Sequence, residues 1–134
     1  MTLLAIDPGS DKCGLAVVTG DGRVLQQAVV SADDIGPVVA RLVPERGVTH
    51  LLLGDRTAAQ NVRESLRRAG VSLDPIVVDE HRSSEEGRRR YFRSNPRRGW
   101  RRLLPVTLQT PPRPYDDHVA IVLAERYLRA RRAG

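Results

Sequence analysis

Cysteine, histidine, lysine and aromatic residues are all scarce in this chain, and each scarcity removes a class of function. The single cysteine, Cys13, allows no internal disulfide, and three histidines scattered at 50, 81 and 118 offer no Cys/His spacing for zinc. Cys13 reads as a small packing residue. No apolar run approaches the roughly 20 residues that span a bilayer. The N-terminus also lacks the basic region, long apolar stretch and small-residue cleavage site of a secretory signal. The expectation is a cytoplasmic protein with no membrane partner. Repeats, low-complexity blocks and composition breaks are missing too, so residues 1–134 read as one domain, long enough to bury a core without a disulfide or structural metal.

What is present is arginine. The formal charge is +6 and the pI about 10.6, and Lys12 is the only lysine among 22 Lys and Arg. Guanidinium forks match phosphate oxygens in pairs and stack on bases, so the excess points to nucleic acid more readily than to lipid. A G+C-rich genome would explain arginine in place of lysine, but not its clustering.

Periodicity orders the elements. Leu3 to Ile6 and Leu15 to Val18 are short apolar runs, Gly20-Asp21-Gly22 signals a hairpin, and Val24 to Val30 returns as a third strand. Ser31, Asp33 and Asp34 mark a helix start, and Ile35, Val38, Val39, Leu42 and Val43 recur at helical spacing up to Gly47. Val48 to Leu53 reads as a buried strand closed by Gly54. Thr57 is placed to cap a helix carrying Val62, Leu66 and Ala69 and ended by Gly70, and Ile76 to Val78 forms a fifth strand before Asp79 and Glu80. Ser83 to Glu86 start a further helix that Asn95-Pro96 stops, and the stretch from Ser94 to Pro114 reads as a long basic loop or arm. Asp116 and Asp117 open a last helix with Val119, Ala120, Leu123, Tyr127 and Leu128 on its apolar face. The order βββαβαβα predicts an α/β fold, a mixed five-stranded sheet with helices on both faces.

Acids recur where apolar segments end. Asp7 closes the first strand, Glu80 the fifth, and Asp116 opens the last helix. With strands one, four and five side by side, these ends share one rim, the place where open α/β sheets bind ligands. Three converging carboxylates repel one another unless a cation neutralises them, and oxygen donors without His or Cys suit Mg2+ or Mn2+. Two such ions, roughly 3.5 to 4 Å apart, clamp the attacking and leaving oxygens of a phosphodiester. Asp7, Glu80 and Asp116 are therefore the candidate catalytic residues and metal ligands, with Asp79, Asp117 and Asp55 as additional acids. Each has a plainer reading: Asp before Pro-Gly is ordinary turn chemistry, one of Asp116 and Asp117 serves as a helix cap, Asp79 and Glu80 fit a solvated turn, and Asp55 fits an exposed loop.

The segments IDPGSDKCGLAVV, DEHRSSEEGRRRYF and DDHVAIVLAERYL, in that order, together resemble the YqgF family, also called RuvX, of RuvC-related nucleases. Asp7, Gly9, Gly14 and Ala16 fit its first motif; Asp79, Glu80, Ser83 and Ser84 its second; Asp116, Ala120, Tyr127 and Leu128 its third. The resemblance implies an RNase H-like fold of the RuvC type and a metal-dependent endonuclease acting on branched DNA, as a Holliday junction resolvase, or on precursor 16S ribosomal RNA. Two departures stand out. His81 occupies the place of the family's Arg, with Arg82 beside it, and Gly54-Asp55-Arg56-Thr57 replaces the usual Gly-Leu-Pro and is nearer to the related domain of Tex transcription factors. RuvC itself takes its second acid from strand four, so Glu80, Asp79 and Asp55 all remain candidates for that ligand.

Between Gly87 and Arg102 the arginines alternate with Tyr91, Phe92 and Trp100, in a chain only 4% aromatic. Arginines on phosphates give salt-dependent affinity, and rings stack on unpaired bases. Lys12, Arg82, Arg88, Arg89, Arg93, Arg97, Arg98, Trp100, Arg101 and Arg102 are the candidate nucleic-acid contacts. Phe92 also suits the apolar face of the preceding helix. Paired cuts in a junction call for two active sites and hence a homodimer; trimming an RNA end needs one. Two rival readings are a nucleic-acid-binding protein with a degenerate site and a fragment of an actin-like phosphotransferase, which would need a second, similar domain.

Overall fold

A computed structural model describes residues 1–56, 58–79 and 116–133, with 116, 117 and 133 described by backbone alone. The elements are β1 (Thr2–Asp7), β2 (Lys12–Thr19), β3 (Val24–Ser31), α1 (Ile35–Arg46), β4 (His50–Gly54), α2 (Ala59–Arg68), β5 (Ile76–Val78) and α3 (Asp116–Ala133). They form one five-stranded sheet in the order β3-β2-β1-β4-β5, antiparallel across β3, β2 and β1 and parallel across β1, β4 and β5. The expected mixed sheet is what the chain adopts. The helix expected from Ser83 and the arm at about 94–114 lie outside the described residues.

The alternation of β1 sorts the core into two halves. Leu4 and Ile6 join Leu15, Val17, Leu51 and Leu53 under α1 and α2, while Leu3 and Ala5 join Ala16, Val18 and Leu52 under α3. β1 is buried on both faces, as befits the central strand of a covered sheet, so its apolar run is continuous. On the α3 side Ala5 and Ala16 from the sheet and Ala120 and Ala124 from the helix share the contact with Leu3, Val18, Leu52, Leu123 and Leu128. On the other side, α1 and α2 meet at Gly36, where an added Cβ would lie 2.5 Å from the Ser65 carbonyl oxygen.

Boundaries differ in instructive places. β4 begins at His50, two residues later than the apolar run predicts: Val48 is buried beside α1, and the Thr49 N–H donates to the Thr2 carbonyl at 2.9 Å. Asp34 occupies the N-cap of α1 without a side-chain cap hydrogen bond. α1 ends, as expected, at Gly47 in a left-handed conformation (φ 63°), its N–H donating to Val43. α2 ends at Arg68, with Ala69 as its C-cap and Gly70 following at φ 81°. Thr57, the expected cap of α2, lies outside the described residues. No helix among the described residues is long and apolar enough to cross a membrane.

Candidate active site at the C-terminal rim of the sheet

Asp7 is the last residue of β1, and the sequence around it explains why it ends where it does. Pro8 cannot donate to a neighbouring strand and so stops the ladder. Gly9 then turns the chain so tightly that a Cβ on it would sit 2.1 Å from the Lys12 carbonyl oxygen, a separation no side chain tolerates. The chain returns as β2, and Gly14 pairs with Asp7. On the other flank Ile6 pairs with Leu53, so by register Gly54 stands beside Asp7. The strand-end acid therefore lies between two glycines, the residues directly opposite it on either side.

Asp7 shares its sheet face with Leu3 and Ala5, the face covered by α3. It is 5% exposed, the one buried carboxylate among the described residues. Taking a carboxylate out of water is unfavourable unless hydrogen bonds or a cation compensate, so a buried acid at a strand end is a position with a purpose.

α3 lies across the sheet face to which Asp7 belongs. Tyr127 lies beside His50, with ring centroids 6.1 Å apart, and His50 is level with Leu3. The helix covers the sheet upstream of that point, through Ala124, Leu123, Ile121 and Ala120, whereas Arg129, Arg131 and Arg132 beyond it are exposed. Running back from Tyr127 to His118 spans about 13 Å of helix. Running along β1 from Leu3 to Asp7 spans about 13 Å of strand. Asp116 and Asp117 begin α3, the helix that covers the sheet face on which Asp7 lies.

The remaining acids that sequence singles out are distributed along the same rim. Asp55 follows β4 and Asp79 follows β5, and both are exposed. The Arg126 guanidinium donates to the Asp79 carbonyl at 2.9 Å, tying the end of β5 to α3. Lys12 opens β2 at this rim and is exposed. Among the described residues no three His, Cys, Asp or Glu side chains come together as a metal-binding group. Glu80 lies outside the described residues, as do Arg82, Arg88, Arg89, Arg93, Arg97, Arg98, Trp100, Arg101 and Arg102. Sequence reasoning passed over Gly54 as a flank of Asp7 and Arg126 as a tie. The first was visible as a glycine closing an apolar strand, whereas nothing in the helical pattern marks the second.

No protein-family model matches the chain, and neither does any curated protein. Solved structures do. RuvC of T. thermophilus in complex with a Holliday junction substrate aligns over 98% of this chain and 96% of its own, at 17% identity and a TM-score of 0.62. A second Thermus thermophilus RuvC structure aligns over 99% and 97%, at 17% identity and a TM-score of 0.61. The chain has an RNase H-like fold of the RuvC type. At that identity the likeness concerns the fold, and it runs the length of both chains.

Proposed function

We propose that the chain is a metal-dependent endonuclease of the YqgF/RuvX kind that hydrolyses phosphodiester bonds in structured nucleic acid. The observation that carries this reading is the buried Asp7 at the end of the central strand, flanked by Gly14 and Gly54 on the face covered by α3, in a RuvC-type fold. Asp7, Glu80 and Asp116 would hold Mg2+ or Mn2+, with Asp79, Asp117 and Asp55 as the acids that could share the task. The all-oxygen donor set suits these hard cations. Bound there, two ions would stabilise the attacking and leaving oxygens of the displacement. Asp7 itself places a carboxyl group where the fold shields it from water, and the glycines beside it would leave space for a phosphate group. The arginines of the 82–102 segment, Lys12 and Trp100 would hold the nucleic acid.

One structural neighbour is a RuvC bound to a Holliday junction, so a four-way DNA junction is the first substrate to test. Precursor 16S ribosomal RNA is the second, and a homodimer is the assembly that paired junction cuts require. Purified protein is incubated with each labelled substrate, with and without Mn2+ or Mg2+, beside the Asp7→Asn variant. Metal-dependent cleavage of either substrate that Asp7→Asn abolishes is the expected result. Binding without cleavage under all conditions would favour a degenerate, binding-only protein instead.

A further inference from the structure

The turn after Asp7 opens, on the α1/α2 side of the sheet, into two hollows that the acidic site does not use. One, of about 320 Å³, is bordered by Pro8, Gly9, Ser10, Arg56, Ala58 and Asn61. The other, of about 240 Å³, shares Gly9, Ser10 and Asn61 and continues past Ser65 to Arg68 and Asp33. Three residues border both, so the hollows adjoin, and together they trace a channel beside α2 with Arg56 at one end and Arg68 at the other. Ser10, Arg56, Asn61 and Arg68 are all exposed. The lining is that of a phosphate-binding surface: a guanidinium at each end, and a hydroxyl and a carboxamide between them as hydrogen-bond donors. Asp33 borders the Arg68 end, and its carboxylate keeps a phosphate on the arginine's side.

Length and position agree with one strand of nucleic acid. From Asn61 to Arg68 the helix rises about 10 Å. That spans about three nucleotides at the 3.4 Å spacing of one strand. The channel begins at Pro8 and Gly9, directly after Asp7, so a strand leaving it at that end reaches the acidic site by crossing the rim of the sheet to the face that carries the Asp7 side chain. Resting on the nuclease reading, we infer that this channel seats at least about three nucleotides of the substrate strand flanking the cut, with Arg56 and Arg68 on phosphates and Ser10 and Asn61 donating to the backbone between them. This surface is separate from the 82–102 arm. The same helix supplies an internal comparison, because Arg63 and Arg67 border a different hollow with Leu66, Leu73 and Asp74.

The test measures binding of a fluorescent four-way DNA junction to the full-length Asp7→Asn protein by anisotropy across a salt series, so that cleavage does not intervene. Removing Arg56 and Arg68 together (R56A/R68A) is expected to lower the slope of log affinity against log salt by about two, which shrinks the loss of affinity between about 50 and about 200 mM salt roughly tenfold. R63A/R67A removes the same charge from the same helix and is expected to leave the slope within about half a unit. Asn61→Arg adds a cation inside the channel and is expected to raise the slope by about one, a gain that misfolding cannot produce. Equal slopes for R56A/R68A and R63A/R67A, or no gain from Asn61→Arg, would overturn the channel while leaving the nuclease reading in place. Absence of binding by the parent protein would overturn both.

Discussion

At the rim where the parallel strands begin, strand ends are stitched to one another; at the rim where they finish, the same strands leave room. On the first, the Thr49 hydroxyl accepts from the Thr2 N–H at 3.0 Å and lies 3.1 Å from the Thr2 carbonyl, and the Gly20 N–H donates to Met1 at 2.9 Å. The β2–β3 turn there is closed by Gly22 at φ 92° and by the Thr19 hydroxyl donating to Asp21. On the second rim stand a buried carboxylate, two glycines beside it, exposed acids at 55 and 79, and an open channel lined by arginine. The contrast teaches where the fold keeps its stability and where it gives stability up. A buried carboxyl group and side-chain-free strand ends add little to folding, and on the proposed reading that end of the sheet, opposite the tightly tied one, is where the chemistry is performed.

Substitutions at the two rims should therefore separate activity from stability. The largest effect is expected from Asp7→Asn, which on the proposed reading lowers cleavage by at least about two orders of magnitude while leaving the melting temperature unchanged or raised; Glu80→Gln and Asp116→Asn should follow it in cleavage assays, with Asp79→Asn and Asp55→Asn milder. If Asp55→Asn inactivates and Glu80→Gln does not, the second ligand comes from strand four. Next comes Gly9→Ala, whose Cβ meets the Lys12 carbonyl: urea unfolding is expected to show a loss of about 1 to 3 kcal/mol together with reduced cleavage, because the turn it distorts positions Asp7. Thr49→Val at the opposite rim should cost about 0.5 to 1 kcal/mol and leave cleavage untouched; a matching fall in cleavage would erase the distinction between the rims.

The smallest effect is at Asp21, fully exposed, whose carboxyl is held below its usual value of 3.8 first by the Thr19 hydroxyl and then by the Arg23 N–H. A depressed carboxyl contributes stability above its unfolded pKa and loses it as pH falls through the folded one. Asp21→Asn should thus lower the melting temperature slightly at neutral pH, with the difference from the parent protein fading as pH drops below about 3.8. A difference that grows on acidification would contradict that assignment.

How much of this was legible in the sequence differs between the sheet and the site. The strands announced themselves because a strand buried on both faces is written as an unbroken apolar run: Leu3 to Ile6, Leu15 to Val18 and the Leu51–Leu53 triplet each fall within a strand. The two helix ends marked by Gly47 and Gly70 were legible because a left-handed residue after a helix is nearly always glycine. The start of β4 was misread because apolarity alone does not say whether Val48 packs as strand or as the approach to one. At the site, Asp7 could be named from Asp-Pro-Gly after a strand. Its flanking by Gly14 and Gly54, however, depends on register, and the channel along α2 depends on how α2 sits against the turn at Gly9. Neither is a property of neighbouring residues in the chain. Arg126 reaching the end of β5 is likewise a contact between segments 47 residues apart.

The central claim is that the rim at Asp7 is a divalent-cation site, and the most direct measurement of it is thermal unfolding of the parent protein and of Asp7→Asn across a Mn2+ titration, in the absence of nucleic acid. A cation that binds the folded chain at a hundred times its dissociation constant stabilises it by about 2.7 kcal/mol, which raises the melting temperature by several degrees, so the account predicts a saturable rise in the parent that Asp7→Asn abolishes. An equal rise in both proteins, or none in the parent, would contradict it.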